Sequence, residues 1–242
     1  DISRVVVSKV TNMSGLFADK ELFNSDLSTW DTSNVVDFSE MFQNAVRFNS
    51  DLSKWNVEAA IDMSAMFTGA IAFNQDISAW NVSAVQDLSF MFDGAKLFNQ
   101  DLGMWNTSSV KTMERMFNEA EAFNSDLSNW DVSKVTSFRQ LFRKAISFNQ
   151  DLDTWDLSSA TDIYGMFTYA SEFNGKIASW DTSNITDFTY LFLGTKFNQD
   201  IGDWDTSSVE NMTGTFASSS FNKDIGSWDV SNTTSMAAMF EA

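Results

Sequence analysis

The sequence contains no histidine and no cysteine. Without histidine, the commonest general base and the commonest transition-metal ligand are missing, and no Ser-His-Asp arrangement exists. Without cysteine there are no disulfides, no thiol chemistry and no thiolate metal sites. Long apolar runs are also lacking, since none approaches the ~20 residues of a membrane helix. Positive charge is scarce: 15 basic residues stand against 33 acidic ones, a formal net charge of -18. That balance argues against nucleic acid and anionic membrane surfaces, and it favours solubility and an affinity for cations. Catalysis has little support, because every carboxylate belongs to a periodic row while an active site is a unique place. The expectation is a protein that is not an enzyme and carries no cofactor.

What the sequence has is repetition. Phe-Asn pairs start at Phe23, Phe48, Phe73, Phe98, Phe123, Phe148, Phe173, Phe197 and Phe221, and a tryptophan follows each phenylalanine by seven residues. The period is 25 residues, shortened to 24 in the last two copies. Within one copy, Met63, Met66, Phe67 and Ala70 are spaced as one face of a short helix, with Asp62 at its N-cap position. Gly69, Gly94 and Gly194 stand where such a helix would end. Trp55 and Val57 alternate with Asn56 and Glu58, which reads as a short half-buried strand.

A unit of one strand and two helical turns buries its apolar face only by stacking on its neighbours. The fold class expected is therefore an α/β solenoid, a leucine-rich-repeat-like right-handed coil. Each turn of ~25 residues would carry one short parallel strand and one short helix. Residues 1–242 form a single solenoid of about nine and a half turns on this reading. It enters in mid-repeat and begins at Asp1, as a fragment of a longer array or an end-to-end assembly would.

The units Leu-Ser-x-Trp-Asp-Val/Thr-Ser-x-Val and Met-Ser-x-Met-Phe-x-Gly-Ala, joined by Phe-Asn-Gln-Asp, resemble those of BspA-like leucine-rich-repeat surface proteins of bacteria. The resemblance spans nearly the whole chain, although the Leu-x-x-Leu-x-Leu strand of ordinary leucine-rich repeats is absent. It implies an extracellular or cell-surface location, with roles in adhesion and protein binding and no enzymatic activity to carry over.

Four constellations are candidate sites. The Asn of Phe-Asn, from Asn24 to Asn222, reads as a structural ladder that satisfies the backbone at a bend. The Asp three residues after that Phe (candidates Asp126, Asp151, Asp200 and Asp224 among its eight copies) reads as turn-forming, with Ca²⁺ held between turns as the alternative. The outward row beside Trp includes Asp131, Asp156, Asp181, Asp205 and Asp229, flanked by serines. It is the first choice for an interaction surface, and its plainer alternative is a solvated face. The fourth lies where repetition fails: Tyr164, Tyr169 and Tyr190, with Arg139, Arg143 and Lys144 one turn earlier. Glu114 is expected to stack on Arg139 and Glu119 on Lys144, and the alternative to a binding spot is inter-turn salt bridges.

The function expected is a non-catalytic interaction or adhesion module, a rigid stalk or binding array whose partner is a protein or a glycan on another surface. Nucleic acid and membrane insertion are excluded as partners, and end-to-end self-association is compatible. The alternative is a Ca²⁺- or carbohydrate-binding solenoid that uses its acidic ladders.

Overall fold

The computed structural model describes residues 2–242. In each repeat, alternate backbone N–H groups point in different directions. Met63, Ala65, Phe67 and Gly69 donate to the carbonyls of Asp87, Ser89, Met91 and Asp93 in the next repeat, at 2.7–3.1 Å. Met66, Thr68 and Ala70 donate three residues back, to Met63, Ala65 and Phe67, at 3.0–3.3 Å. An α-helix would direct every N–H four residues back along its own chain. Here half of the groups leave the repeat and tie it to the next.

The expected helix is therefore absent. Ala65 (φ 54°) and Gly69 (φ 67°) are left-handed, as are Glu40 and Asn44, Arg115 and Glu119, and Gln140 and Lys144 in other repeats. A left-handed residue with a Cβ costs roughly 1–2 kcal/mol and cannot belong to a right-handed helix. Each is followed by a residue whose N–H closes a tight turn, so the segment is a run of turns rather than helical coils. Asp62, expected as an N-cap, accepts the N–H of Ser64 on Oδ1 at 2.8 Å.

The expected strand is absent as well. Burial alternates as read, with Trp55 and Val57 inside and Asn56 and Glu58 outside. The backbone of this segment bonds locally instead of in a ladder. Trp55 N–H donates to Leu52 and Ala60 N–H to Val57, and Glu58 N–H to the Asn56 side chain. Parallel pairing is confined to single-residue bridges such as Asp37 to Asp62 and Asp62 to Asp87. Among the described residues the one helical element is a 3₁₀ turn, Ile2–Arg4. The α/β solenoid with a strand and a helix per turn is thus overturned. The chain is a stack of 25-residue units held by turns and inter-repeat hydrogen bonds. With no proline in the sequence, no N–H is missing from this network.

The stack encloses aromatic columns. One runs from Phe17 through Phe67 and Phe117 to Phe240, with successive ring centroids 5.5–5.8 Å apart. The Phe-Asn phenylalanines form the second, at 5.8–6.1 Å. Within a repeat the two columns meet face to face, as in Phe67 and Phe73 at 3.8 Å. All nine tryptophans are buried. Neighbours such as Trp105 and Trp130 stand 6.3 Å apart, wider than the ~5 Å spacing of a parallel ladder. Each indole N–H has a fixed acceptor in the preceding repeat: Trp130 Nε1 donates to the Leu102 carbonyl at 2.9 Å. Burying so many indoles demands such a partner for each.

Candidate functional site

The outer row beside Trp is exposed along its whole length, from Asp31 to Asp229. In every copy its side-chain oxygen accepts the N–H two residues on. Asp131 takes Ser133 at 3.0 Å, Asp156 takes Ser158 at 2.9 Å and Asp181 takes Ser183 at 3.0 Å. Asp205 and Asp229 take Ser207 and Ser231 at 2.9 Å. Asn56, Asn81 and Asn106 make the same bond to Glu58, Ser83 and Ser108. Serine hydroxyl and N–H together hold Asp131, Asp156 and Asp205 below the usual carboxylate range. For Asp229 the Ser231 N–H leads. Hydrogen bonds to the ionised form produce this direction of shift.

The Asp row after Phe-Asn is built in the same way. Asp126 accepts the N–H of Ser128, Asp200 that of Gly202 and Asp224 that of Gly226, at 2.9–3.1 Å. Asp151 differs, because its Oδ1 accepts the Lys176 N–H from the next repeat and its Oδ2 lies 3.3 Å from Lys176 Nζ. The turn-forming role is present in Asp126, Asp200 and Asp224, whereas Asp151 bridges two repeats. Among the described residues no group of three or more acidic side chains converges closely enough to hold a metal ion. Shallow polar concavities do follow this row between repeats, one of them lined by Asn99, Gln100, Asp101, Asn124, Ser125 and Asp126.

The Phe-Asn ladder is continuous. Each Asn Oδ1 accepts the N–H of the next Asn, from Asn49 on Asn24 to Asn222 on Asn198, at 2.7–2.9 Å. The amide caps a backbone donor one repeat away, which is the structural role expected of it.

Where repetition fails, the tyrosines and basic residues do come together. The Arg139 guanidinium lies over the Tyr164 ring, 4.0 Å from its centroid. Tyr164 meets Tyr190 edge to face at 6.1 Å. Arg143 and Lys144 both reach Glu119 Oε1, at 3.4 and 2.6 Å. Arg139 pairs with Asp162 at 3.6 Å and not with Glu114. Tyr169 and Tyr190 lie over Gly194 and Gly214 of the next repeat. A Cβ on either glycine would stand 2.5–2.6 Å from the ring.

One cluster gave no periodic signal. Asp93 and Asn118 are buried side by side, Asn118 Nδ2 donating to Asp93 Oδ1 at 2.6 Å. Arg115 lies 3.0 Å from Asp93 Oδ2, and Arg143 Nη1 donates to Asn118 Oδ1 at 3.2 Å. Burial pushes the Asp93 carboxyl up, against the pull of Asn118 and Arg115. Elsewhere the same place in the repeat holds Gln43, Thr68, Arg143, Thr168 or Leu193, so no consensus residue marks it in the sequence.

Stacked 25-residue units, capped polar rows and a continuous aromatic interior define a repeat protein. The chain belongs to the family described as "Mycoplasma protein of unknown function, DUF285", which it matches over residues 1–102, 73–179 and 166–242. The repeat character expected from the sequence is thereby shown, but the match is not to BspA-like proteins specifically. No curated protein matches the chain. Among solved structures, the crystal structure of a TLR13–ssRNA13 complex is 10% identical, with a TM-score of 0.18. The alignment covers 77% of this chain and 44% of that one. At that score the likeness carries no inference about fold or ligand. No helix among the described residues is long and apolar enough to cross a membrane.

Proposed function

We propose that this chain is a non-catalytic interaction module, an adhesive binding array at a cell surface or outside the cell, whose acidic strip docks a basic or hydroxyl-rich partner. One observation carries the reading. Asn56, Asn81 and Asn106 make the same cap as Asp31, Asp131, Asp156, Asp181, Asp205 and Asp229. Folding therefore needs an oxygen acceptor at this position and does not need its charge. The carboxylates strengthen the cap without being required for it, and they stand in water along the row. A surface of that kind attracts cationic partners by its field and releases them as salt screens it. The likeness of the repeat units to BspA-like surface repeats supports the extracellular placement and the adhesive role.

The test is binding of the 242-residue chain to a lysine-rich peptide and to neutral dextran, each across a salt series. Binding of either probe supports docking, and a basic partner is marked by affinity that falls steeply with salt. Binding of neither at low salt contradicts the reading. Ca²⁺ held by the acidic rows is the competing use of the same charge, and it predicts a melting temperature that collapses with chelator.

A further inference from the structure

We propose that Asn81 and Asn106 are acceptor sites for N-linked glycosylation of the folded chain, taking a sugar supplied as its 1-diphosphate ester. The proposal goes beyond the docking reading, because it concerns the neutral stretch of the row beside Trp and not the carboxylates from Asp131 to Asp229.

N-linked transfer requires the triplet Asn-x-Ser/Thr, with x other than proline, at an accessible place on the surface. The sequence holds six such triplets, beginning at Asn12, Asn81, Asn106, Asn184, Asn211 and Asn232. The atom that takes the sugar is Nδ2, and in three of them the fold has already committed it. Asn12 Nδ2 donates to Asp37 Oδ2 at 2.9 Å. Asn184 Nδ2 donates to the Ser158 carbonyl at 2.9 Å, and Asn232 Nδ2 to the Ser207 carbonyl at 2.7 Å. Asn211 is half-buried. The hydroxyl of its triplet, Thr213 Oγ1, lies 2.7 Å from Asn211 Oδ1 and 2.9 Å from Ser235 Oγ.

Asn81 and Asn106 differ on each count. Both are exposed. Their Oδ1 atoms accept the N–H of Ser83 and Ser108 at 3.2 and 3.1 Å, which fixes each side chain by its oxygen. Nδ2 of each has no hydrogen-bond partner among the described residues. In Asp copies the serine hydroxyl is drawn onto the carboxylate, as Ser133 Oγ onto Asp131 at 2.7 Å and Ser183 Oγ onto Asp181 at 2.6 Å. Ser83 and Ser108 make no such bond, so the hydroxyl of the triplet stays available. Asn56 has the same cap and the same exposure, but Glu58 stands in the serine place. The chain thus carries its own control. In the transfer, Nδ2 bonds to the anomeric carbon of the sugar and the bond from that carbon to the diphosphate oxygen breaks. The amide gives up one proton as the diphosphate leaves.

The test incubates the folded chain, and separately its tryptic digest, with UDP-glucose and a soluble asparagine N-glucosyltransferase. Hexose is then mapped by peptide mass spectrometry. Labelling of Asn81 and Asn106 is expected in the folded chain, with Asn12, Asn184 and Asn232 labelled only in the digest. Ser83→Ala and Ser108→Ala should each abolish labelling of the asparagine two residues before. Glu58→Ser should create labelling at Asn56 and keep the fold, since serine holds this place in the other eight repeats. A labelled digest beside a folded chain with no hexose on Asn81 and Asn106 overturns the inference. Labelling of Asn184 and Asn232 in the folded chain to the same extent also overturns it. None of these outcomes depends on the carboxylates of the row, so this inference and the docking reading fail separately.

Discussion

The interior and the exterior of the stack obey different rules. Inside, phenylalanine repeats without exception along two columns, from Phe17 to Phe240 and from Phe23 to Phe221. Outside, the residue beside Trp is Asp in six copies and Asn in three, and the face around Arg115 to Tyr190 abandons repetition. Inside, each ring is half of its neighbour's binding site, so a change in one copy is felt by two others. Outside, a position needs only to satisfy one backbone N–H, and any residue with a suitable oxygen does so. Charge and aromatic rings can therefore vary on the surface at little cost to folding.

Replacement of an interior ring sharpens that contrast most. Trp130→Ala removes a buried indole and its hydrogen bond to the Leu102 carbonyl, and it should cost roughly 3–5 kcal/mol in denaturant unfolding. A loss below about 1 kcal/mol would place tryptophan outside the cooperative interior. Gly194→Ala comes next, because it forces a Cβ into a left-handed position at φ 70° and against the Tyr169 ring. About 1–2 kcal/mol is expected from the backbone alone. Combining it with Tyr169→Ala should recover the part due to the ring, which a double-mutant cycle reads directly. Asn124→Ala removes one rung of the amide ladder and should cost about 1 kcal/mol.

Acid should act on the exterior with a definite sign. Serine hydrogen bonds lower the folded pKa of Asp31, Asp131, Asp156, Asp205 and Asp229. Their stabilisation is therefore complete above the unfolded value near ~3.9 and is lost as pH falls through the lower folded values. Asp93 works in the opposite sense: its folded pKa is raised by burial, so its contribution weakens as pH rises from the unfolded value through the folded one. Melting curves between about pH 2 and pH 5 should show the first effect, and Asp→Asn at the capped positions should flatten it. Chelator is expected to have the smallest effect of all, with the melting temperature unchanged.

The sequence makes the interior legible and the backbone path much less so. Period 25, the inward Trp, Phe and Met positions, and the role of the Asn ladder all follow from residue spacing. The helix does not, because Met63, Met66, Phe67 and Ala70 face inward equally well from a chain of turns. The feature that decides between them is a left-handed residue at two places per repeat. Glycine marks it at Gly69, Gly94, Gly165, Gly194 and Gly214, but Glu40, Ala65, Phe90 and Arg115 hide it. Such residues are tolerated because their N–H groups cross to the next repeat, a compensation that no single repeat displays. The strand misleads for a related reason. Alternating burial is real, while Asx caps supply the hydrogen bonds that a ladder would have provided. Of the candidate sites, the exposure of the acidic row and the meeting of Arg139 with Tyr164 are visible from the register. The buried pair Asp93 and Asn118 is not, since it depends on which irregular side chains fall next to each other.

The most direct measurement compares the unaltered chain with the triple variant Asp131→Asn, Asp156→Asn and Asp181→Asn. Both thermal melting at pH 7 and affinity for a lysine-rich peptide at low salt are read on each. Asparagine keeps the three caps, so the melting temperature should stay within about 2 °C, a shift worth only a few tenths of a kcal/mol to at most about 1. Affinity should fall severalfold and its salt dependence should become shallower. A melting temperature that drops sharply would mean that the charges serve the fold. Affinity that survives unchanged would mean that the acidic strip is not the docking surface.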